Sequence, residues 1–176
     1  MTTPTTTPDK AAPTTQVYRV YIRATPQAIW DAITKPEWTQ RFGYGLIDEF
    51  DLRPGGAYRG LPNDGMKAMG FQDVVVDGEV IESDPPRKLV VTWRMAMDPN
   101  LYAEGFTRLT YEIEPGRDGV SRLSVIHDLA GTPGHAHMVA GVLQGPGAGG
   151  GWSWILSDLK SLLETGTPMA TSTSWK

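Results

Sequence analysis

The chain has 176 residues, the size of one domain with room for a substantial core. Its 16 Lys+Arg and 20 Asp+Glu give a net charge of −4 with no basic stripe, which argues against a nucleic-acid partner. It has no cysteine, which excludes disulfides, thiolate-held metals and thiol catalysis, and no apolar run of membrane-spanning length.

Residues 1–16, "MTTPTTTPDKAAPTTQ", are rich in Thr, Pro and Ala and poor in apolar side chains. They read as a disordered tail, not a secretion signal, because no apolar stretch follows a charged start. The cytoplasm is the expected location. Residues 17–166 read as one folded domain and residues 167–176 as a second disordered tail.

The folded part opens with "VYRVYIRAT", in which Tyr18, Val20 and Ile22 alternate with Arg19, Tyr21 and Arg23, the period of a half-buried strand. Thr25 and Pro26 then signal a helix start, with Ile29, Trp30 and Ile33 on one stripe until Pro36 stops it. "PEWTQRF" reads as a second short helix. "LIDEFDL", the turn "RPGG" and "AYRG" form a hairpin, and Asp51 and Arg53 read as an ion pair flanking its turn. "LPNDGMKAMGFQD" is irregular, with a short helical turn at Met66–Met69.

"VVVDGEVIES" is β-rich, and Gly78 within it points to a bulge or bend. "LVVTWRM" places Leu89, Val91, Trp93 and Met95 on one face. "AMDPNLYAEG" reads as a loop leading to "FTRLTYEIE", where Leu109, Tyr111 and Ile113 share a face. "VSRLSVIHDL" aligns Leu123, Val125, His127 and Leu129. Residues 131–151 carry eight glycines and two prolines and read as a long linker, its end 145–151 a gate beside the last helix. That helix, "GWSWILSDLKSLLETG", carries Trp152, Ile155, Leu156, Leu159, Leu162 and Leu163 on one arc.

One strand, two helices, about six strands and a long helix describe an α+β domain. Its economical packing is a curved antiparallel sheet of six to seven strands gripping the C-terminal helix. With "ATPQAIWDAIT", "DLRPGGAY", "GEVIESDPPRKLVVTW", "TRLTYEIEP", "VSRLSVIHDL" and "GWSWILSDLKSLL" in this order, the chain resembles the START-like (SRPBCC, helix-grip) superfamily. Within it, the chain is most similar to bacterial proteins related to the C-terminal domain of the heat-shock-protein-90 ATPase activator. The resemblance implies seven strands around the long helix and a cavity between them. It implies binding of a small hydrophobic molecule of lipid, polyketide or aromatic type, with two alternatives: a cyclase or hydrolase using the same cavity, or a chaperone-ATPase co-regulator.

The residues expected to line that cavity are Phe42, Tyr58, Met66, Met69, Trp93, Tyr111, His127 and Trp152. Methionines suit a pocket of irregular shape. His127 is the candidate acid/base, with Tyr111 or a strand carboxylate as its second group. The plainer reading is a core histidine bonded to backbone, Tyr or Trp. Asp48, Glu49, Glu79 and Glu82 could pair across strands, but alternation does not fix their faces past Gly78. His135 and His137 would need a third ligand such as Asp128 or His127 to hold a metal, and they read as exposed loop histidines. No metal or cofactor is expected. A homodimer through Trp154 or an edge strand is compatible with the sequence.

Overall fold

The structure is a computed structural model that describes residues 14–71, 73–142 and 149–169. Its elements are β1 (Thr15–Ile22), α1 (Pro26–Thr34), α2 (Pro36–Thr39), β2 (Ile47–Phe50), β3 (Ala57–Leu61) and α3 (Asp64–Ala68), followed by β4 (Val76–Asp84) and β5 (Lys88–Met95). Then come α4 (Pro99–Glu104), β6 (Thr107–Pro115), β7 (Ser121–Asp128), α5 (Pro133–Val139) and α6 (Gly151–Thr165).

The seven strands make one antiparallel sheet in the order β1-β7-β6-β5-β4-β3-β2. Chain neighbours pair throughout, except that β1 lies beside β7. The helices α1 and α2 carry the chain from one sheet edge to the other. Local chemistry sets their ends: the Thr25 hydroxyl accepts the Ala28 N–H at 3.1 Å, and Pro26 opens the first turn.

The core lies between the concave sheet face and α6. Trp152, Leu156, Leu159 and Leu162 of α6 are buried against it. The sheet contributes Ile22, Leu89, Val91, Leu109, Leu123 and Val125. Each such side chain contributes roughly 1.5–3 kcal/mol by leaving water. The arrangement is the helix-grip α+β fold expected from the order of elements.

Several local readings change. The first strand starts at Thr15, two residues early, because Gln16 donates to the Ala136 carbonyl at 2.8 Å and Leu129 N–H to Thr14 O at 2.6 Å. The other tail residues, 1–13 and 170–176, lie outside the described residues. The segment read as a loop after β5 contains α4, started by Asp98, whose carboxylate accepts the N–H groups of Asn100 and Leu101. The linker 131–151 contains α5, opened by Pro133. Residues 143–148, most of the expected gate, lie outside the described residues. In β4 the register shifts between Val80 and Glu82, not at Gly78. Gly78 serves close approach instead: a Cβ there would sit 1.8 Å from the Thr92 carbonyl oxygen.

Candidate functional site

The sheet and α6 do not close completely on each other. Between them lies a cavity of about 300 Å³. The wall on the helix side is Trp152, Ile155, Leu156 and Leu159, and the sheet side is Tyr58, Val76, Trp93, Tyr111 and Leu123. Phe42, Tyr44, Leu46 and Asp48 add to the lining. Met95, Met97, Met138, Val139 and Gly149 line it as well, and Met97 is 45% exposed.

Of the eight residues expected here, Phe42, Tyr58, Met66, Trp93, Tyr111 and Trp152 line the cavity. Met69 does not: it follows α3 and is 47% exposed. His127 does not line it either, although its position in the inward face of β7 is as expected. Residues the sequence reading did not place here include Met95, Met97 and Met138.

His127 is fully buried behind the cavity wall. Its hydrogen bonds fix its tautomer. The single Thr107 hydroxyl proton goes to the Trp93 carbonyl at 2.8 Å. The contact of 2.7 Å between His127 Nε2 and Thr107 Oγ1 must therefore be donated by the ring. Nδ1 accepts the Trp152 indole N–H at 3.1 Å. Both nitrogens are used, and burial, with a smaller contribution from His135, lowers its pKa to about 3. The ring is a neutral connector between β6, β7 and α6, with no nitrogen left for a ligand.

His135 corrects an expectation. It is not an exposed loop residue; it lies fully buried on α5. Nε2 accepts the Met95 N–H at 3.1 Å, so Nδ1 carries the proton and donates it to Glu104 Oε2 at 2.7 Å. Glu104 also accepts the N–H groups of Gly134 and His135. Burial alone would raise the Glu104 carboxyl, but these donors hold it below its ordinary value. The Thr-Pro sequence before "GHAH" was the available helix-start signal. No group of three or more His, Asp or Glu side chains among the described residues could hold a metal ion.

The acidic residue among those lining the cavity is Asp48. The hairpin register sets Asp48 opposite Gly60 and Phe50 opposite Tyr58. The Thr39 hydroxyl accepts the Asp48 N–H at 3.0 Å. Phe50 stacks on Tyr58 with ring centres 4.3 Å apart, and the Tyr58 hydroxyl donates to Asp48 Oδ1 at 3.3 Å. Asp48 is half-buried and lines the cavity. Burial, opposed by the Tyr58 hydrogen bond, raises its pKa to about 7. Burial and then the Asp48 charge push the Tyr111 phenol up, and the same influences, with Tyr111, act on Tyr58. Glu49 and Glu79 are exposed and Glu82 pairs with Lys88 at 3.1 Å, so no carboxylate pair forms in the cavity. Alternation with Leu46 and Phe50 was the sequence signal for an inward Asp48.

The family described as Activator of Hsp90 ATPase homolog 1-like protein matches the chain over residues 23–164. The chain belongs to this family. Among curated proteins none matches the chain in sequence. Solved structures place this family member within a broader fold group. DynU16, from the dynemicin biosynthetic locus, matches with a TM-score of 0.63 at 21% identity, over 93% of this chain and 51% of that one. CalU16 from Micromonospora echinospora matches with a TM-score of 0.60 at 18% identity, over 91% of this chain and 70% of that one. PFC0360w, an HSP90 activator from Plasmodium falciparum, matches with a TM-score of 0.51 at 19% identity, over 66% of this chain and 73% of that one. At these identities the likeness is one of fold. No helix among the described residues is long and apolar enough to cross a membrane.

Proposed function

We propose that this family member binds a small, mostly apolar molecule in the cavity between the sheet and α6. The observation that carries the reading is the void itself. About 300 Å³ stays open under a helix whose Trp, Ile and Leu side chains could have packed against the sheet. Close-packed interiors leave few voids larger than a water molecule. The volume is at the low end of ligand pockets, which span roughly 300–1,000 Å³. The lining methionines Met66, Met95, Met97 and Met138 suit ligands of varied shape. The origin of DynU16 in the dynemicin biosynthetic locus supports a small-molecule reading.

An enzyme of cyclase or hydrolase type would have to use Asp48, because His127 has no free nitrogen to take or give a proton. The family name and PFC0360w favour a second reading, stimulation of a chaperone ATPase. That reading would use the outer surface and does not need the cavity.

Native mass spectrometry and calorimetry against lipids, flavonoids and polyketides test the proposal. At least one class should bind, and Val76→Phe, which pushes a ring into the void, should abolish that binding while the fold survives. Silence across all classes, or binding unchanged by Val76→Phe, would overturn it. A chaperone pull-down and ATPase assay separate the second reading.

A further inference from the structure

Two inward carboxylates in this fold, half-buried Asp48 and buried Asp158, differ in one respect. Asp158 of α6 is fully buried and has both oxygens bonded: it accepts the Gly43 N–H at 2.8 Å and the Met169 N–H at 2.6 Å. That is how a structural carboxylate is satisfied. Asp48 has one long bond, from Tyr58 at 3.3 Å, and its Oδ2 has no hydrogen-bond partner among the described residues. A carboxylate can accept about four hydrogen bonds. The remaining capacity faces the void.

The surroundings hold this carboxyl in place and make room for it. Gly60, directly across the hairpin, leaves the space: a Cβ there would lie 2.9 Å from Asp48 Oδ1. The Thr39 hydroxyl holds its backbone, and the Phe50–Tyr58 stack holds the phenol that bonds it. No Lys, Arg or His lines the cavity among the described residues, so nothing there would neutralise an anionic ligand. The walls include Tyr58, Trp93 and Tyr111, aromatic rings of the kind that attract cations.

We propose that Asp48 makes the cavity selective for an apolar molecule presenting one hydrogen-bond donor, a hydroxyl or an ammonium group, and selective against carboxylates. This rests on the cavity-binding reading above and specifies its ligand. Asp48 accepts the donor through Oδ2, while the aromatic walls cover the apolar body. The titratable groups facing Asp48 are Tyr58 of β3 and Tyr111 of β6, and both stay protonated across the neutral range. The raised Asp48 pKa means that an ammonium ligand binds more tightly as pH rises through about 7.

The test is a matched probe series, 2-methylnaphthalene, 2-naphthol, 2-naphthylmethylamine and 2-naphthoate, titrated by calorimetry at pH 8 into the wild-type chain and Asp48→Asn. The two donor probes should bind wild type about tenfold more tightly than 2-methylnaphthalene, the scale of one charge-assisted hydrogen bond. 2-Naphthoate should bind at least about tenfold more weakly than 2-methylnaphthalene, by the same scale. Asp48→Asn should remove the amine's advantage and relieve the rejection of 2-naphthoate. If 2-methylnaphthalene binds wild type as tightly as the donor probes, or 2-naphthoate matches them, donor selection is wrong and the cavity reading stands. If none of the four binds, both fall. The wild-type comparison decides the matter without relying on the variant's folding.

Discussion

The indole N–H of Trp152 donates to Nδ1 of His127 across 3.1 Å, tying the first turn of the long helix to β7 of the sheet. The pair closes one wall of the cavity, since Trp152 lines it and His127 stands behind. Replacing Trp152 by Phe keeps most of the apolar area but leaves a buried acceptor without a donor. That loss should cost about 1–3 kcal/mol. Urea unfolding of Trp152→Phe should show it. A double-mutant cycle with His127→Leu should return part of it, since the indole and the ring nitrogen are then both gone and only Thr107 Oγ1 loses a donor. A variant as stable as the wild type would contradict the bond.

Asp48 and His127 should oppose each other in the acid range. The unfolded His127 titrates near 6.5 and the folded one near 3, so its neutral form stabilises the fold above 6.5 and that stability is lost as pH falls. Asp48 is raised in the fold from 3.8 to about 7, so its stabilising protonated form is lost as pH rises. Each slope is close to 1.4 kcal/mol per pH unit, with opposite sign. Between about pH 4.5 and 6.5 they largely cancel in the wild type. Asp48→Asn should therefore lose stability on acidification in this window, whereas His127→Gln should gain it. Denaturant midpoints measured from pH 4.5 to 7.5 will reveal two slopes of opposite sign, and parallel curves for the two variants would refute both assignments.

Glu104 is the acceptor that holds α5 down, receiving Gly134 N–H, His135 N–H and His135 Nδ1–H. Glu104→Ala should release α5 at its start and speed hydrogen exchange over Pro133–Val139, while the central strands β5, β6 and β7 stay protected. Its carboxyl is held below 4.5, so its stabilisation is present above that pH and fades below it. Exchange mass spectrometry checks the first point, and unchanged protection of α5 would reject the strap.

Gly60→Ala puts a methyl group 2.9 Å from Asp48 Oδ1 and 3.3 Å from Leu46 Cδ1 and Val76 Cβ. Overpacking of this kind costs roughly 1–3 kcal/mol. The variant should also turn the Asp48 carboxyl away from its position, so any donor probe that binds wild type should lose affinity. Both effects should appear together, in thermal melts and in calorimetry. An alanine accommodated with neither would show that the space above Gly60 is not needed.

The sequence by itself determined the order of elements, the inward faces of β1, β5, β6 and β7 and the apolar stripe of α6. Those are periodic signals, and burial on one face forces the period. It also carried the start signals of α4 and α5, Asp98-Pro99 and Thr132-Pro133, but both helices are short, and glycine-rich surroundings masked the second. The fate of particular polar groups was decided only in three dimensions. Alternation put His127 on the inward face, but whether its nitrogens met a void or Thr107 and Trp152 depended on where α6 and β6 came to rest. His135 looked like a loop residue until α4 brought Glu104 against it. Asp48 shared its alternation with Leu46 and Phe50, yet its exposure to an empty space depended on the sheet's curvature and on how far α6 stops short of filling it. A hydrogen-bond partner distant in the chain leaves no periodic trace, and a void is the difference between two surfaces, neither of which encodes it alone.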